Sequence, residues 1–174
     1  MLSPKIETER LILRRYDEKD FDAFFEILYD DRLHEYISFP SLTKEQEMDY
    51  IKKCAEEADI SKEEKWAIVL KESNETIGNI SVNAINKKNN YCDVGYVIRF
   101  DYWGNGYTAE ALKAVSDYLL ESGYNFVECV CNERNKQSSR VMEKAGFKKD
   151  GSVQNRRINK DGTWSGLEYY SRWK

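Results

Sequence analysis

Two glycines one residue apart, Gly104 and Gly106, follow an apolar run from Val94 to Phe100 and precede a helical pattern. In that pattern Leu112, Val115, Leu119 and Leu120 share one side, and Gly123 is a natural stop. The spacing predicts a strand, a tight turn and a helix. Lacking a Cβ, each glycine lets the backbone turn sharply and approach a ligand closely. The N–H groups of the first helical turn have no acceptor within the helix, and the positive end of the helix dipole lies beside them. Such a turn suits an anion, above all a phosphate or pyrophosphate. Taken alone, the spacing fits an ordinary strand-to-helix turn equally well.

Other chemistries find less support. Cys54, Cys92, Cys129 and Cys131 lack the C-x-x-C spacing of zinc and redox sites. Cys129 and Cys131 would face the same side of a strand and read as buried thiols. His34 is the only histidine, which leaves little for a His-rich metal site or a Ser-His-Asp triad, and no metal is expected. With 174 residues, 41% hydrophobic and 33% charged, the chain is sized for one ordinary soluble domain spanning residues 1–174. A net charge of −4 argues against a nucleic-acid partner recruited by overall charge. No apolar run approaches the roughly 20 residues of a membrane span, and the N-terminus has no signal-peptide core. A cytoplasmic protein with no membrane partner is expected, as a monomer or homodimer.

The elements that must position the glycine turn follow from periodicity. A first strand is expected over Leu11–Tyr16, after Glu7-Thr8-Glu9-Arg10. Asp17 then caps a helix, with Glu18 and Asp20 near its dipole and Phe21, Phe24, Phe25 and Leu28 at helical spacing. An irregular aromatic stretch with Tyr36, Phe39 and Pro40 comes next. Thr43-Lys44-Glu45-Gln46 is a capping-box pattern opening a second helix to about Ala58. Strands over Lys65–Leu70, Thr76–Ile85 and Tyr91–Phe100 are joined by polar turns into an antiparallel meander. Gly95 inside the last strand marks a bulge or a close backbone approach.

After the helix Thr108–Ser122, the run Phe126–Cys131 is a strand reached by a right-handed parallel crossover. Asn135 caps a short helix that Gly146 ends. Two final strands, Phe147–Asn155 and Trp164–Trp173, meet through a turn at Lys160-Asp161-Gly162. The fold class is mixed α/β (α+β).

Three motifs in order carry a resemblance. Tyr102-Trp103-Gly104-Asn105-Gly106-Tyr107-Thr108-Ala109-Glu110-Ala111-Leu112 resembles the acyl-CoA pyrophosphate loop of the GNAT N-acetyltransferase superfamily. It is closest in kind to the ribosomal-protein N-terminal acetyltransferase (RimJ/RimL-like) branch, where a Trp-Gly-x-Gly-Tyr core is usual. Thr8-Glu9-Arg10-Leu11-Ile12-Leu13-Arg14 is similar to the opening strand of that branch. Asn135-Lys136-Gln137-Ser138-Ser139, followed by Glu143-Lys144-Ala145-Gly146-Phe147, resembles its second signature. The resemblance spans essentially the whole chain.

It implies a mostly antiparallel sheet of about seven strands with one splayed parallel pair, flanked by about four helices. Acetyl-CoA would be the cosubstrate, its pantetheine arm bonding the backbone of Tyr96, Val97 and Ile98. Its pyrophosphate would rest on amides of Gly104, Asn105, Gly106, Tyr107, Thr108 and Ala109, with Asn135 touching the pantetheine or positioning the thioester. Trp103 and Thr108 depart from the broader superfamily, where Gln or Arg and Gly or Ala are usual.

The implied reaction is attack of an amine, on a protein N-terminus or a small molecule, upon the thioester. It needs a base, an oxyanion donor and an acid for the thiolate. The resemblance places the oxyanion amide near Ile98. Met142 stands where many relatives carry a tyrosine acid, leaving Ser138 as the hydroxyl nearest the sulfur. Asp93 lies where relatives place a carboxylate base, Glu110 is a second carboxylate on the loop helix, and Arg156-Arg157 departs from the acidic residue of some relatives. Tyr29, Tyr36, Phe39, Trp66 and Trp164 are candidate pocket aromatics. The competing class is a non-catalytic acyl-CoA-binding sensor or interaction module, for which the missing tyrosine speaks.

Overall fold

The computed structural model describes residues 3–33, 35, 43, 45–46, 48–49 and 64–174. Alternating apolar and polar residues make most of these strands. They are β1 (Ile6–Glu7), β2 (Leu11–Arg14), β3 (Lys65–Leu70), β4 (Thr76–Asn86), β5 (Tyr91–Ile98), β6 (Phe126–Asn132), β7 (Lys148–Ile158) and β8 (Trp164–Trp173). Among the described residues, the helices seen from end to end are α1 (Phe21–Tyr29), α2 (Tyr107–Glu121) and α3 (Lys136–Lys144). One eight-stranded sheet has the order β1-β2-β3-β4-β5-β6-β8-β7. Only β5 and β6 pair in parallel among the described strands, joined by α2 as a crossover. The expected seven strands become eight because Ile6–Glu7 folds back on Ile12 and Leu13.

The sheet carries cores on both faces. On one side α2 buries Ala111, Leu112, Val115 and Leu119 against Val94, Ile98, Val127 and Cys129, and Met142 of α3 joins them. On the other, Phe21, Phe24 and Ile27 of α1 pack with Tyr16 and Leu33 on Ala67, Val69 and Val97. Trp66, expected as a pocket aromatic, is fully buried and donates its indole N–H to Pro4 O at 2.8 Å. It is core, not wall.

Local chemistry explains the helix ends. Asp17 caps a 3₁₀ turn, Glu18–Asp20, ahead of α1. Asp20 stands in that first turn with Glu18, as expected, and closes the capping box, Asp17 N–H donating to its Oδ2 at 2.7 Å; fully buried, it also accepts from Arg14 Nη1 and Nη2 at 2.8 Å and takes the Thr76 hydroxyl. Thr43 and Gln46 form the expected capping box, with Gln46 N–H donating to Thr43 Oγ1 at 3.3 Å and Thr43 N–H to Gln46 Oε1 at 2.9 Å. Most of the helix expected to about Ala58, together with His34, Tyr36, Phe39, Pro40 and Cys54, lies outside the described residues.

The irregularity forecast at Gly95 is present, displaced to its neighbour strand. Val82 pairs with Val94 and Ala84 with Asp93, so Asn83 is the extra residue of a bulge in β4. A Cβ on Gly95 would lie 2.4 Å from Asn83 Nδ2, so glycine is what lets the Asn83 side chain cross over β5. Gly78 performs a similar service further along: a Cβ there would stand 2.3 Å from Val97 O and 2.9 Å from Ile98 Cα. These are backbone atoms of β5 and cannot yield cheaply. Gly78→Ala is therefore expected to destabilise the fold by about 1–3 kcal/mol in denaturant unfolding, as overpacking does.

Candidate active site

The parallel ladder between β5 and β6 is short. Tyr91 pairs with Phe126, Cys92 with Val127 and Asp93 with Glu128, and there it stops. β5 continues to Ile98 along β4, and β6 continues to Asn132 along β8. Beyond Asp93 and Glu128 the two strands diverge, opening a cleft of about 580 Å³. Its walls include Val94–Ile98 of β5, Val130–Asn132 of β6, and Gly104, Thr108, Asn135 and Ser138 from the loop and helices.

Hydrogen-bond alternation decides which backbone groups face the gap. Arg99 N–H donates to Ile77 O, which makes Arg99–Ile77 a bonded pair in the register Ile98↔Gly78. Residues 95 and 97 therefore direct their N–H and C=O toward β4, whereas Val94, Tyr96 and Ile98 turn theirs toward β6. The Val94 amide meets the Cys129 thiol. The Ile98 carbonyl accepts from Trp103 Nε1 at 3.1 Å. Tyr96 N–H, Tyr96 C=O and Ile98 N–H thus face the gap, with no strand partner among the described residues. Buried amides need acceptors, and an extended amide-bearing chain would supply them. Val97 also lines the cleft, with its own N–H and C=O directed toward β4.

The glycine loop closes one end. Gly104 and Gly106 both have φ +81°, in the left-handed region that an L side chain rarely adopts. Carbonyls are turned away and held: Asn105 Nδ2 donates to Tyr102 O and Trp103 O at 3.2 Å, and Arg10 Nη1 donates to Asn105 O at 3.0 Å. Glu110 N–H reaches Gly106 O at 3.1 Å, so α2 leaves the N–H groups of Tyr107, Thr108 and Ala109 without intrahelical acceptors. The loop fits a pyrophosphate. Gly104 and Thr108 line the cleft directly, while Asn105, Gly106, Tyr107 and Ala109 belong to the turn behind them.

Glu110 is an anchor. Its carboxylate accepts from Thr8 Oγ1 at 2.6 Å, Arg10 N–H at 2.9 Å and Arg10 Nε at 2.7 Å. Burial works against its charge, but these donors outweigh it and hold the acid below its ordinary range, the wrong direction for a base. The Arg10 guanidinium also lies 4.5 Å from the Tyr107 ring centre. A cation is thereby fixed beside the amide cradle, a role that the motif at Thr8–Arg10 did not disclose.

Asp93 behaves differently. It closes the apex of the gap just outside the cleft lining, and Asn83 Nδ2, which does line the cleft, donates to its Oδ2 at 3.2 Å. Burial raises its pKa, and the Asn83 bond only partly offsets this. Burial likewise raises Glu128, with Asp93 adding to it. Asn135 caps α3 by accepting from Ser138 N–H at 3.0 Å, and both line the cleft. Ser138 Oγ is 2.7 Å from the Tyr96 hydroxyl.

Of the other expected aromatics, Tyr29 and Trp164 are exposed and line no part of the cleft; Tyr96 and Trp103 do. Sequence reading also missed Asn79, Ser81 and Asn83, polar side chains in the middle of a central strand that floor the opening. Their period-two spacing was the available signal. Arg157 joins the lining from β7. The cleft passes through the sheet, with Tyr96 and Ile98 on the α2/α3 side and Asn79, Ser81, Asn83 and Val97 on the α1 side. Burial pushes the Cys92 thiol up to about 12 and the Cys129 and Cys131 thiols upward, so none is a ready nucleophile. Among the described residues, no group of three His, Cys, Asp or Glu side chains could hold a metal ion. No helix among them is long and apolar enough to cross a membrane.

Residues 10–148 match the acetyltransferase (GNAT) domain. The chain belongs to the GNAT acetyltransferase family. It is therefore an acetyltransferase, and acetyl-CoA is its cosubstrate. It is 29% identical over 150 residues to the uncharacterized N-acetyltransferase YoaA of Bacillus subtilis, covering 85% of each chain. A GNAT-family acetyltransferase from Bacillus anthracis superposes with a TM-score of 0.84 at 24% identity, covering 98% of each chain. The ribosomal L7/L12 α-N-protein acetyltransferase RimL, solved with coenzyme A, superposes with a TM-score of 0.83 at 20% identity over 99% of this chain and 98% of that one. These likenesses establish the GNAT fold.

Two substitutions test the donor site. Gly106→Trp forces a bulky L residue into a left-handed position and fills the cradle, so coenzyme A affinity should collapse in a titration while the far-UV spectrum is retained. Unchanged affinity would remove the loop from the site. Arg10→Ala should raise KM for acetyl-CoA about tenfold, the worth of one or two charge-assisted hydrogen bonds. S-acetylpantetheine, which lacks the phosphates, should be used equally by both forms.

Proposed function

We propose that this acetyltransferase moves an acetyl group from acetyl-CoA to a primary amine, on a protein N-terminus or a small molecule, by direct attack through a tetrahedral intermediate. One observation carries the reading: the cleft opens on both faces of the sheet. A thioester held against Tyr96 and Ile98 from the α2/α3 side presents its carbonyl to the α1 side, where Asn79, Ser81 and Asn83 form a polar floor. Polar groups with spare hydrogen-bonding capacity suit an amine, and an apolar floor would not.

The roles follow from position. Ile98 N–H points into the gap and is the donor for the developing oxyanion. Asp93, raised by burial, accepts the amine's proton through Asn83-ordered water, because a base works best when its pKa approaches the working pH. Ser138 Oγ donates to the departing sulfur. Thiolates leave with modest help, since their conjugate acids are far stronger than alcohols.

Incubating the protein with its own cell extract and labelled acetyl-CoA, followed by mass spectrometry of acetylated products, identifies the acceptor. Acetyl-CoA binding with no product from any amine would favour the non-catalytic sensor. For the base, Asp93→Asn should slow transfer by 10²-fold or more and abolish the rise of rate with pH, general-base catalysis being worth that much. The same variant should be more stable at neutral pH. A carboxyl whose folded pKa is raised loses stability as pH climbs from its unfolded value through its folded one, and asparagine removes that penalty. Gly95→Ala, whose Cβ displaces the Asn83 carboxamide, should remove the bond that lowers the Asp93 pKa and move the acidic limb of the rate profile to higher pH.

A further inference from the structure

The Tyr96 side chain crosses from β5 to α3, and its hydroxyl has two partners on one residue. It lies 2.7 Å from Ser138 Oγ and 3.2 Å from Ser138 O. Both residues line the cleft. Each hydroxyl has a single proton to place. If Tyr96 donates to the Ser138 carbonyl, the proton of Ser138 is taken by the Tyr96 oxygen and is turned away from the cleft. If Tyr96 donates to Ser138 Oγ, the Ser138 proton is released and points outward. The same two oxygens therefore support two proton arrangements without moving a heavy atom.

Burial decides which species Tyr96 is. Its pKa is raised, chiefly by loss of water, so the phenol keeps its proton and remains a donor throughout. The phenol is thus unsuited to be the acid that releases a proton to sulfur. It is suited to hold Ser138. The Asn135 side chain fixes the Ser138 amide and the turn that carries it, so only the hydroxyl rotor is left to set.

We propose that the Tyr96 hydroxyl is a positioning group for the leaving sulfur: it donates to Ser138 Oγ and so aims the Ser138 proton at the thiolate. The inference rests on the reading of Ser138 as the sulfur's hydrogen-bond donor. As the nitrogen–carbon bond forms and the carbon–sulfur bond breaks, negative charge gathers on sulfur, and the aimed Ser138 hydroxyl stabilises it. The proton lost by the amine nitrogen balances the one finally gained by the thiol through solvent. Neither hydroxyl is consumed, and no further reactant is required.

Single-turnover acetyl transfer is the measurement, on Tyr96→Phe, Ser138→Ala and the double variant, with melting temperatures recorded for each. Tyr96→Phe keeps the ring and removes only the hydroxyl. Each single change should slow the chemical step about tenfold with the acetyl-CoA dissociation constant within twofold of the parent, the size expected of one hydrogen bond to a charged group. The double variant should be no slower than Ser138→Ala, because groups that act as one unit are not additive. Multiplying effects in the double variant would overturn the proposal. So would a Tyr96→Phe defect confined to acetyl-CoA affinity, which is the mark of packing. Parent-like rates in Ser138→Ala would remove the serine role and this inference together, yet continued product formation would leave the acetyltransferase reading standing.

Discussion

The structure depends on two neighbouring strands being kept apart. Parallel strands with apolar faces tend to zip, and the register here shows zipping begun at Tyr91 and halted at Asp93. Each strand is claimed on its far side by a longer antiparallel partner, β5 by β4 and β6 by β8. The bulge at Asn83 lies at the very level where the parallel pairing ends, and bulges sharpen the local twist of a strand pair. The extra residue in β4 thus bends β5 away from β6. Gly95 gives the Asn83 side chain room. The same side chain then donates to Asp93 at the apex. One inserted residue accounts for the opening of the cleft and for the tuning of the carboxyl beside it.

The donor end is a second construction with its own electrostatics. Left-handed glycines turn the chain, side chains capture the loop's carbonyls, and the first turn of α2 is left with outward amides. Four hydrogen bonds and ion-pair contacts around Glu110 tie the start of β2 to that turn. The carboxylate that would otherwise repel an anion at the helix start is cancelled by Arg10, and the guanidinium is left beside the cradle. Arg10 thereby leaves the N–H dipoles of the turn without a net negative charge beside them, its own guanidinium N–H groups lying next to the loop. The two motifs that open the chain and the loop are one device brought together across the fold.

The apex of the gap is built on different principles. Asp93 and Glu128 face each other across the last rung of the parallel ladder; burial raises both, and the Asp93 charge adds to the rise at Glu128. Maintaining such a pair costs stability at neutral pH, which is the usual state of a group poised for proton transfer. By contrast Glu168, gripped by Lys149, Ser139 and Lys136, is held down to about 2 despite its burial and serves as a fixed post beneath α3. Carboxylates in the same small domain are thus driven in opposite directions by the partners around them.

Much of this was legible in the chain itself. Period-two alternation located the meander, the Leu112-to-Leu120 stripe located α2, and the glycine spacing located the loop, because each is a local property of backbone and neighbours. Asn135 and Thr43 announced their caps for the same reason. Long-range partnerships were not legible. Nothing in the order of residues says that Glu110 meets Arg10, that Trp66 is core, that Asn83 lies over Gly95, or that the Tyr96 phenol reaches Ser138. Those pairings join residues as much as a hundred positions apart. They are set by how sheet twist, a bulge and two helices close around a common core. Local sequence determined which groups could bind an anion, and tertiary packing decided which hydroxyls, carboxyls and cations stand within reach of it.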